Sequence, residues 1–233
     1  MNEDQAALQR FAQKGTTRLF PLPNLVFFPH VVQPLHIFEP RYRQMVAESL
    51  EDDRLLTLVL LKPGWEQDYD NRPPIHPVAC LGRIIADQQL PDGRYNLLLR
   101  GIARIHIGEE LTSNKPYRLA RADVLHDDAN SAVTALMDLR HELADEIVPR
   151  FGSGPLRDQI RELFDGELPL GTLCDVLAFA LPVAVETKQA MLEELSIEER
   201  ARLLLGGFRK VVGQKAAVTA QLHRKFPPEF SAN

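Results

Sequence analysis

The strongest constraint on this chain is a change of texture near residue 126. Up to that point short apolar runs rich in Leu, Val and Ile are broken by 11 of the 17 prolines. Beyond it, apolar residues recur at helical spacing over long stretches. A period near two favours strands and a period near 3.6 favours helices. One chain carrying the two patterns in succession is expected to fold as α+β, strands first and helices after. Charge changes at the same place. Residues 1–126 hold 15 Lys+Arg and 15 Asp+Glu, whereas residues 127–233 hold 12 and 17, so the net charge of -5 belongs to the second part.

Within the first part, Arg18 to Leu22, Leu25 to Phe28 and Val31 to Phe38 read as strands. Pro34 makes the last of these an edge or bulged strand, because proline cannot donate to a sheet ladder. Glu39-Pro40 opens a helix running to about Leu50, and Leu55 to Leu61 is a buried strand. Residues 64–76 form a polar loop. Val78 to Leu90 and Arg94 to Ile107 flank Pro91-Asp92-Gly93, which has hairpin turn chemistry. Gly101, inside the return strand, predicts a bulge or a close backbone approach. Tyr117 to Leu125 supplies a last strand. Six or seven short strands imply a closed or nearly closed barrel.

In the second part, Ala132, Val133, Leu136, Leu139, Leu143 and Ile147 form one apolar stripe. Leu156, Ile160, Leu163 and Phe164 form another, and Leu170 to Leu181 is a central apolar helix ended by Pro182. A further helix closes near Leu195. Ser196 and Glu199 have the spacing of a capping box ahead of a final helix that carries Ala201, Leu204, Leu205, Phe208, Val211, Val212 and Val218. The tail after Lys225 is expected to fray.

The chemistry-bearing motifs are absent. There is no phosphate-binding G-x-x-x-x-G-K-[ST], no G-x-S-x-G elbow and no H-E-x-x-H. The seven histidines show no metal-ligand spacing. Ser153, in Gly-Ser-Gly, has no inferable partner. Cys80 and Cys174 sit among apolar neighbours and read as buried free thiols. No catalytic residue, cofactor or metal is therefore expected. No run approaches the roughly 18 apolar residues of a spanning helix, and the polar N-terminus lacks a signal core, so the expected compartment is the cytoplasm.

Ordered motifs carry a resemblance. Leu19-Phe20-Pro21-Leu22-Pro23-Asn24 through Phe28-Pro29, then Pro34-Leu35-His36-Ile37-Phe38-Glu39-Pro40-Arg41-Tyr42-Arg43, resemble the start of the Lon protease N-terminal, substrate-binding domain, and in particular its stand-alone bacterial members. Leu81-Gly82-Arg83-Ile84, Leu90 to Tyr95 and Leu99 to Ile105 resemble that domain's central hairpin. Leu181-Pro182-Val183 with Glu186, Lys188-Gln189 and Glu199-Arg200 resembles its helical part. The resemblance covers about residues 16–212. It implies a PUA-like β-barrel over residues 16–126 and an α-helical bundle over residues 127–225.

It further implies binding without catalysis. Full Lon proteases continue into an ATPase and a Ser-Lys peptidase, and 233 residues hold neither, so a peptidase label would describe the family alone. The expected partners are unfolded or degron-bearing proteins, or a separate protease or chaperone, with self-association as a further outcome. The candidate peptide contacts are Phe27, Phe28, His30, Trp65 and Tyr69. The alternative is an RNA-binding PUA-like module using Arg83, Arg100 and Arg104. The neutral first part and Tyr95 as the hairpin's one stacking partner argue against it.

Overall fold

The computed structural model describes residues 3–67, 71–128 and 132–213, together with the backbone of residues 231–232. The chain divides into two compact units, the first reaching Leu125 and the second beginning at His126.

The first unit opens with helix α1 (Glu3–Lys14) and strand β1 (Thr16–Leu22). Strand β2 (Val32–Ile37), helix α2 (Pro40–Glu51) and strand β3 (Leu55–Leu60) follow. Strands β4 (Val78–Gln89), β5 (Tyr95–Leu111) and β6 (Arg118–Leu125) complete it, with the two-residue strand β7 (Ser231–Ala232) pairing alongside β2. The sheet order is β4-β3-β1-β6-β5-β2-β7, and β4 also pairs with β5, so the ladder returns on itself. The α+β class read from the sequence holds.

Alternation places successive side chains of β1 in two different cores. Leu19 packs with Leu55, Val59, Ala79, Leu81, Ile105, Ala120 and Ala122, and α1 adds Ala7 and Phe11 to this cluster. Phe20 points the other way and meets Tyr42 of α2, the ring centroids 4.5 Å apart. With both faces covered, every residue of β3 is buried, which is why Leu55 to Leu61 reads as one apolar run.

Three local expectations take physical form. Pro34 lies in β2, whose other neighbour is the two-residue β7, so the proline sits at the sheet's margin. Gly93 turns the β4–β5 hairpin at φ 81°, its amide donating to the Leu90 carbonyl at 2.8 Å. The β4–β5 register shifts beside Gly82, which stands opposite Gly101. A Cβ on Gly101 would lie 2.0 Å from the Phe28 carbonyl oxygen, and the Gly101 carbonyl accepts from the His30 amide at 2.9 Å. The glycine is there for backbone approach.

Other expectations are corrected. Leu25 to Phe28 is not a strand, although Val26, Phe27 and Phe28 are buried. Pro21, Pro23 and Pro29 remove ladder donors around it. Residues 3–14 form a helix that apolar periodicity does not announce; Ala7 and Phe11 are the residues buried on it, too short a stripe to register as periodic.

The second unit contains α3 (Val133–Ile147), α4 (Pro155–Asp165), α5 (Leu170–Ala180), α6 (Val185–Glu193) and α7 (Ile197–Gly213). Leu139, Leu143 and Ile147 of α3 are buried as the stripe requires, but Val133 at its start is 73% exposed. α5 is buried along most of its length, including Leu173, Cys174, Asp175 and Leu177. Arg200 is fully buried and pairs with Asp127 at 2.5 Å and with Asp175 at 3.6 Å. Burial of a guanidinium is tolerable only with such partners. The capping box forms differently from its spacing. The Glu199 amide does donate to Ser196 Oγ at 3.3 Å, but the Ser196 amide is met by Glu194, not by Glu199. Val218 and the tail after Lys225 lie outside the described side chains.

Candidate functional site

An open cleft of about 540 Å³ in the first unit collects residues from separate segments that the strand pairing draws together. The end of β1 supplies Pro21, the first turn of α2 supplies Arg41 and Tyr42, and the residue after β3 supplies Leu61. Asn71-Arg72-Pro73 forms one wall, and Lys115-Pro116-Tyr117-Arg118, entering β6, forms another. Its size is typical of ligand-receiving clefts.

The walls are fixed by bonds to backbone and to carboxylates. The loop after β3 returns through an isolated bridge between Leu61 and Ile75, with the Lys62 amide donating to the Pro74 carbonyl at 2.8 Å. Arg118 pins the same loop, its Nη1 donating to the Pro73 carbonyl at 2.8 Å, while its Nε donates to Glu110 at 2.9 Å. On the opposite wall Lys115 Nζ and the Tyr117 hydroxyl both donate to Glu48, at 2.8 and 2.5 Å. The Lys115 and Tyr117 hydrogen bonds hold the Glu48 carboxyl down to about 2. Burial, then the bond to Glu48, pushes the Tyr117 phenol up to about 12. Glu48 is thus charged and Tyr117 neutral across the physiological range. Arg41 lies over the Tyr42 ring at 4.7 Å and pairs with Glu39 at 2.9 Å. Glu39 makes no side-chain cap for α2; its carboxylate goes to Arg41 instead.

The residues singled out from the sequence are scattered. Phe27 and Phe28 are core side chains, 1% and 0% exposed. His30 is exposed, at φ 67°. Trp65 is half-buried and begins a single 3-10 turn, Trp65–Gln67, in the loop that goes on to Arg72. Tyr69 lies outside the described residues. Phe27, Phe28, His30 and Trp65 do not line the cleft. The lining residues were missed because sequence order separates them. One signal was available: Pro40-Arg41-Tyr42-Arg43 and Lys115-Pro116-Tyr117-Arg118 are two short stretches combining proline, tyrosine and cations.

The RNA alternative meets a specific arrangement. Arg83 does stand opposite Arg100 in the hairpin. The acidic first turn of α1 comes with them: Asp4 is 2.7 Å from Arg83 and 3.7 Å from Arg100, and Glu3 is 3.0 Å from Arg83. Arg104 is only 4% exposed. Carboxylates already sit where phosphates would be needed. Among the described residues no group of three or more His, Cys, Asp or Glu is arranged to hold a metal ion.

Comparison with known proteins agrees with the architecture. Residues 16–206 match the family model described as the ATP-dependent protease La (LON) substrate-binding domain. A Lon protease of Syntrophus aciditrophicus is 30% identical over 191 residues, covering 79% of this chain and 24% of that protein. Lon protease 2 of Myxococcus xanthus is 28% identical over 190 residues, covering 80% of this chain and 22% of its own length. The chain thus spans about a quarter of the length of these curated relatives. Two solved structures share the fold. The N-terminal domain of a Mycobacterium avium complex Lon protease aligns with a TM-score of 0.64 at 16% identity, over 83% of this chain and 98% of that one. A Lon N-terminal domain protein from Xanthomonas campestris aligns at 0.60 and 20%, over 82% and 97%. With the family model covering most of its length, this chain belongs to the Lon substrate-binding domain family.

Proposed function

We propose that this chain is a non-catalytic protein-binding module that receives unfolded or degron-bearing segments, as an adaptor working with a separate protease or chaperone in the cytoplasm. The observation that carries the reading is the open cleft, walled by prolines, tyrosines and the stems of long cations, in a domain of the substrate-binding family. Such walls suit an extended chain, whose backbone and side chains need apolar surface and a few polar anchors together. His30 and Trp65, with Tyr69, are proposed as further contacts, whereas Phe27 and Phe28 are buried in the core and offer no surface to a partner. No cofactor is required for binding of this kind, and among the described residues no helix is long and apolar enough to cross a membrane.

The test is capture of partners from lysate by the 233-residue chain, followed by titration of a purified denatured client. Enriched clients or a co-purifying ATPase, with saturable client binding, are the expected result. A chain that enriches no partner and binds no client overturns the reading. Casein incubated with the chain, with and without ATP, should remain intact; turnover would contradict the non-catalytic assignment.

A further inference from the structure

Helix α1 is strapped to the first unit's sheet at both ends. Its first turn is acidic: Asp4 meets Arg83 of β4 at 2.7 Å and Arg100 of β5 at 3.7 Å, and Glu3 meets Arg83 at 3.0 Å. Its last turn is basic: Lys14 meets Asp52 and Asp53, between α2 and β3, at 2.5 and 2.8 Å. Those two carboxylates also hold Arg18 of β1. Between the ends, Ala7 and Phe11 are buried on one face, in an apolar cluster with Leu19, Leu55, Val59, Leu81, Ile105 and Ala120. α1 precedes residues 16–206, the range that matches the family model, whereas the strands beneath it lie within that range. The surface under the helix is therefore a groove with an apolar floor, arginines at one end and aspartates at the other.

We propose that this groove is a docking site for an amphipathic helix of another protein, and that α1 is its resident, displaceable occupant. The partner helix carries the pattern of α1: acids in the first turn, a small residue followed four positions on by an aromatic, and a cation in the last turn. Residues at i and i+4 share one helix face, so such a helix sets both apolar side chains on the floor at once, the mode of helix-in-groove recognition. Its charges match the two ends of the groove, acids against Arg83 and Arg100 and a cation against Asp52 and Asp53. That order also suits the helix dipole, and it fixes the direction of docking. Displacement is within reach of a competitor. α1 has 12 residues, a length at which an isolated helix is marginal in water. The residues buried on it are Ala7 and Phe11, and the ion pairs at its ends are partly exposed. Such pairs weaken as salt rises. A nucleic acid is disfavoured, because the floor is apolar and Asp52 and Asp53 repel phosphates at its far end. The groove is separate from the cleft, whose lining residues include none of this cluster.

The test is fluorescence anisotropy of the 233-residue chain with a dye-labelled, end-capped peptide of residues 3–14. The native chain, its groove filled, should bind the peptide weakly. Phe11→Glu sets a charge against the apolar floor and should unseat α1, so this variant should bind about tenfold more tightly or better, as the competent fraction rises. Glu3→Lys with Asp4→Lys reverses the charges at one end and leaves the buried residues alone. It should gain about threefold, the scale of partly exposed ion pairs, and it keeps the test decisive if the first variant loses its fold. A peptide that retains the two acids, Ala7, Phe11 and Lys14 but replaces the other positions with different helix formers should bind as well as the original. Peptides with Phe11→Ala, or with the acids and the lysine exchanged, should lose most of the binding. Equal binding by the native chain and by each variant of unchanged circular dichroism overturns the proposal, as does equal binding of the altered peptides. Failure of the pattern-matched peptide restricts the groove to α1 and overturns it too. A native chain that sediments as a dimer, and that the peptide converts to a monomer, gives the groove to α1 of a second copy and contradicts the partner assigned here. Displacement of the peptide by a single-stranded RNA at lower concentration than by unlabelled peptide contradicts it in favour of nucleic acid.

Discussion

Gly101 shows how much one residue can carry. Its missing Cβ lets the Phe28 carbonyl come closer than any other residue type permits. Gly101→Ala is therefore expected to destabilise the chain by about 3 kcal/mol or more, the range of overpacking and strain at a tight site. Gly206→Ala meets open space on α7 and should stabilise by up to about 1 kcal/mol through helix propensity. Urea denaturation of both variants checks the pair. Glu48 carries a pH dependence. Its carboxyl is held at about 2 when folded against an ordinary 4.5, so the unfolded chain binds the proton more readily. The stabilisation it provides is complete above about pH 4.5 and is lost as pH falls toward 2. Glu48→Gln should flatten the decline of the denaturation midpoint across that window; an unchanged decline would remove Glu48 from the account. Gly101 was legible in the sequence as a glycine inside a strand. The partners of Glu48 were not, because Lys115 and Tyr117 come from a distant segment.

Among the elements, α4 depends on a neighbour for its end. Arg140 of α3 donates to the carbonyls of Leu163, Phe164, Gly166 and Leu168, at 3.1, 2.6, 2.6 and 2.6 Å. The last carbonyls of a helix have no partner within it, and one guanidinium closes this terminus. Arg140→Ala should cost about 1–3 kcal/mol, in the range of charge-assisted hydrogen bonds. Arg140→Lys should recover only part, because an ammonium cannot fan out to so many acceptors. Thermal unfolding of the two variants separates the cases; equal behaviour of Ala and Lys would mean the fork geometry is unimportant. Elements with strong punctuation were readable: Pro34 gave β2 its marginal place, Asp92-Gly93 the hairpin and Pro182 the end of α5. Elements whose order comes from tertiary contact were not. The segment Leu25 to Phe28 is apolar enough for a strand yet is held as buried coil, and α1 owes its place to Ala7 and Phe11 packing against strands far along the chain.

For the whole molecule, the change of texture near residue 126 was legible because it is a change of period, and period follows directly from backbone geometry. The cleft was invisible for the opposite reason. Its walls come from residues 21, 41–42, 61, 71–73 and 115–118, brought together by the parallel pairing of β1 with β3, the antiparallel pairing of β1 with β6 and the packing of Tyr42 on Phe20. Aromatic residues in a polar loop, the feature that singled out Trp65, gave no hint of a cleft walled by prolines and tyrosines. The central claim is that the chain binds protein segments without processing them. Isothermal titration of the 233-residue chain with reduced, alkylated α-lactalbumin, followed by electrophoresis of the recovered mixture, tests it most directly. The account predicts saturable binding with a Kd on the order of micromolar, about −8 kcal/mol, and intact lactalbumin afterwards. No heat of binding at any accessible concentration, or cleaved lactalbumin, would contradict it.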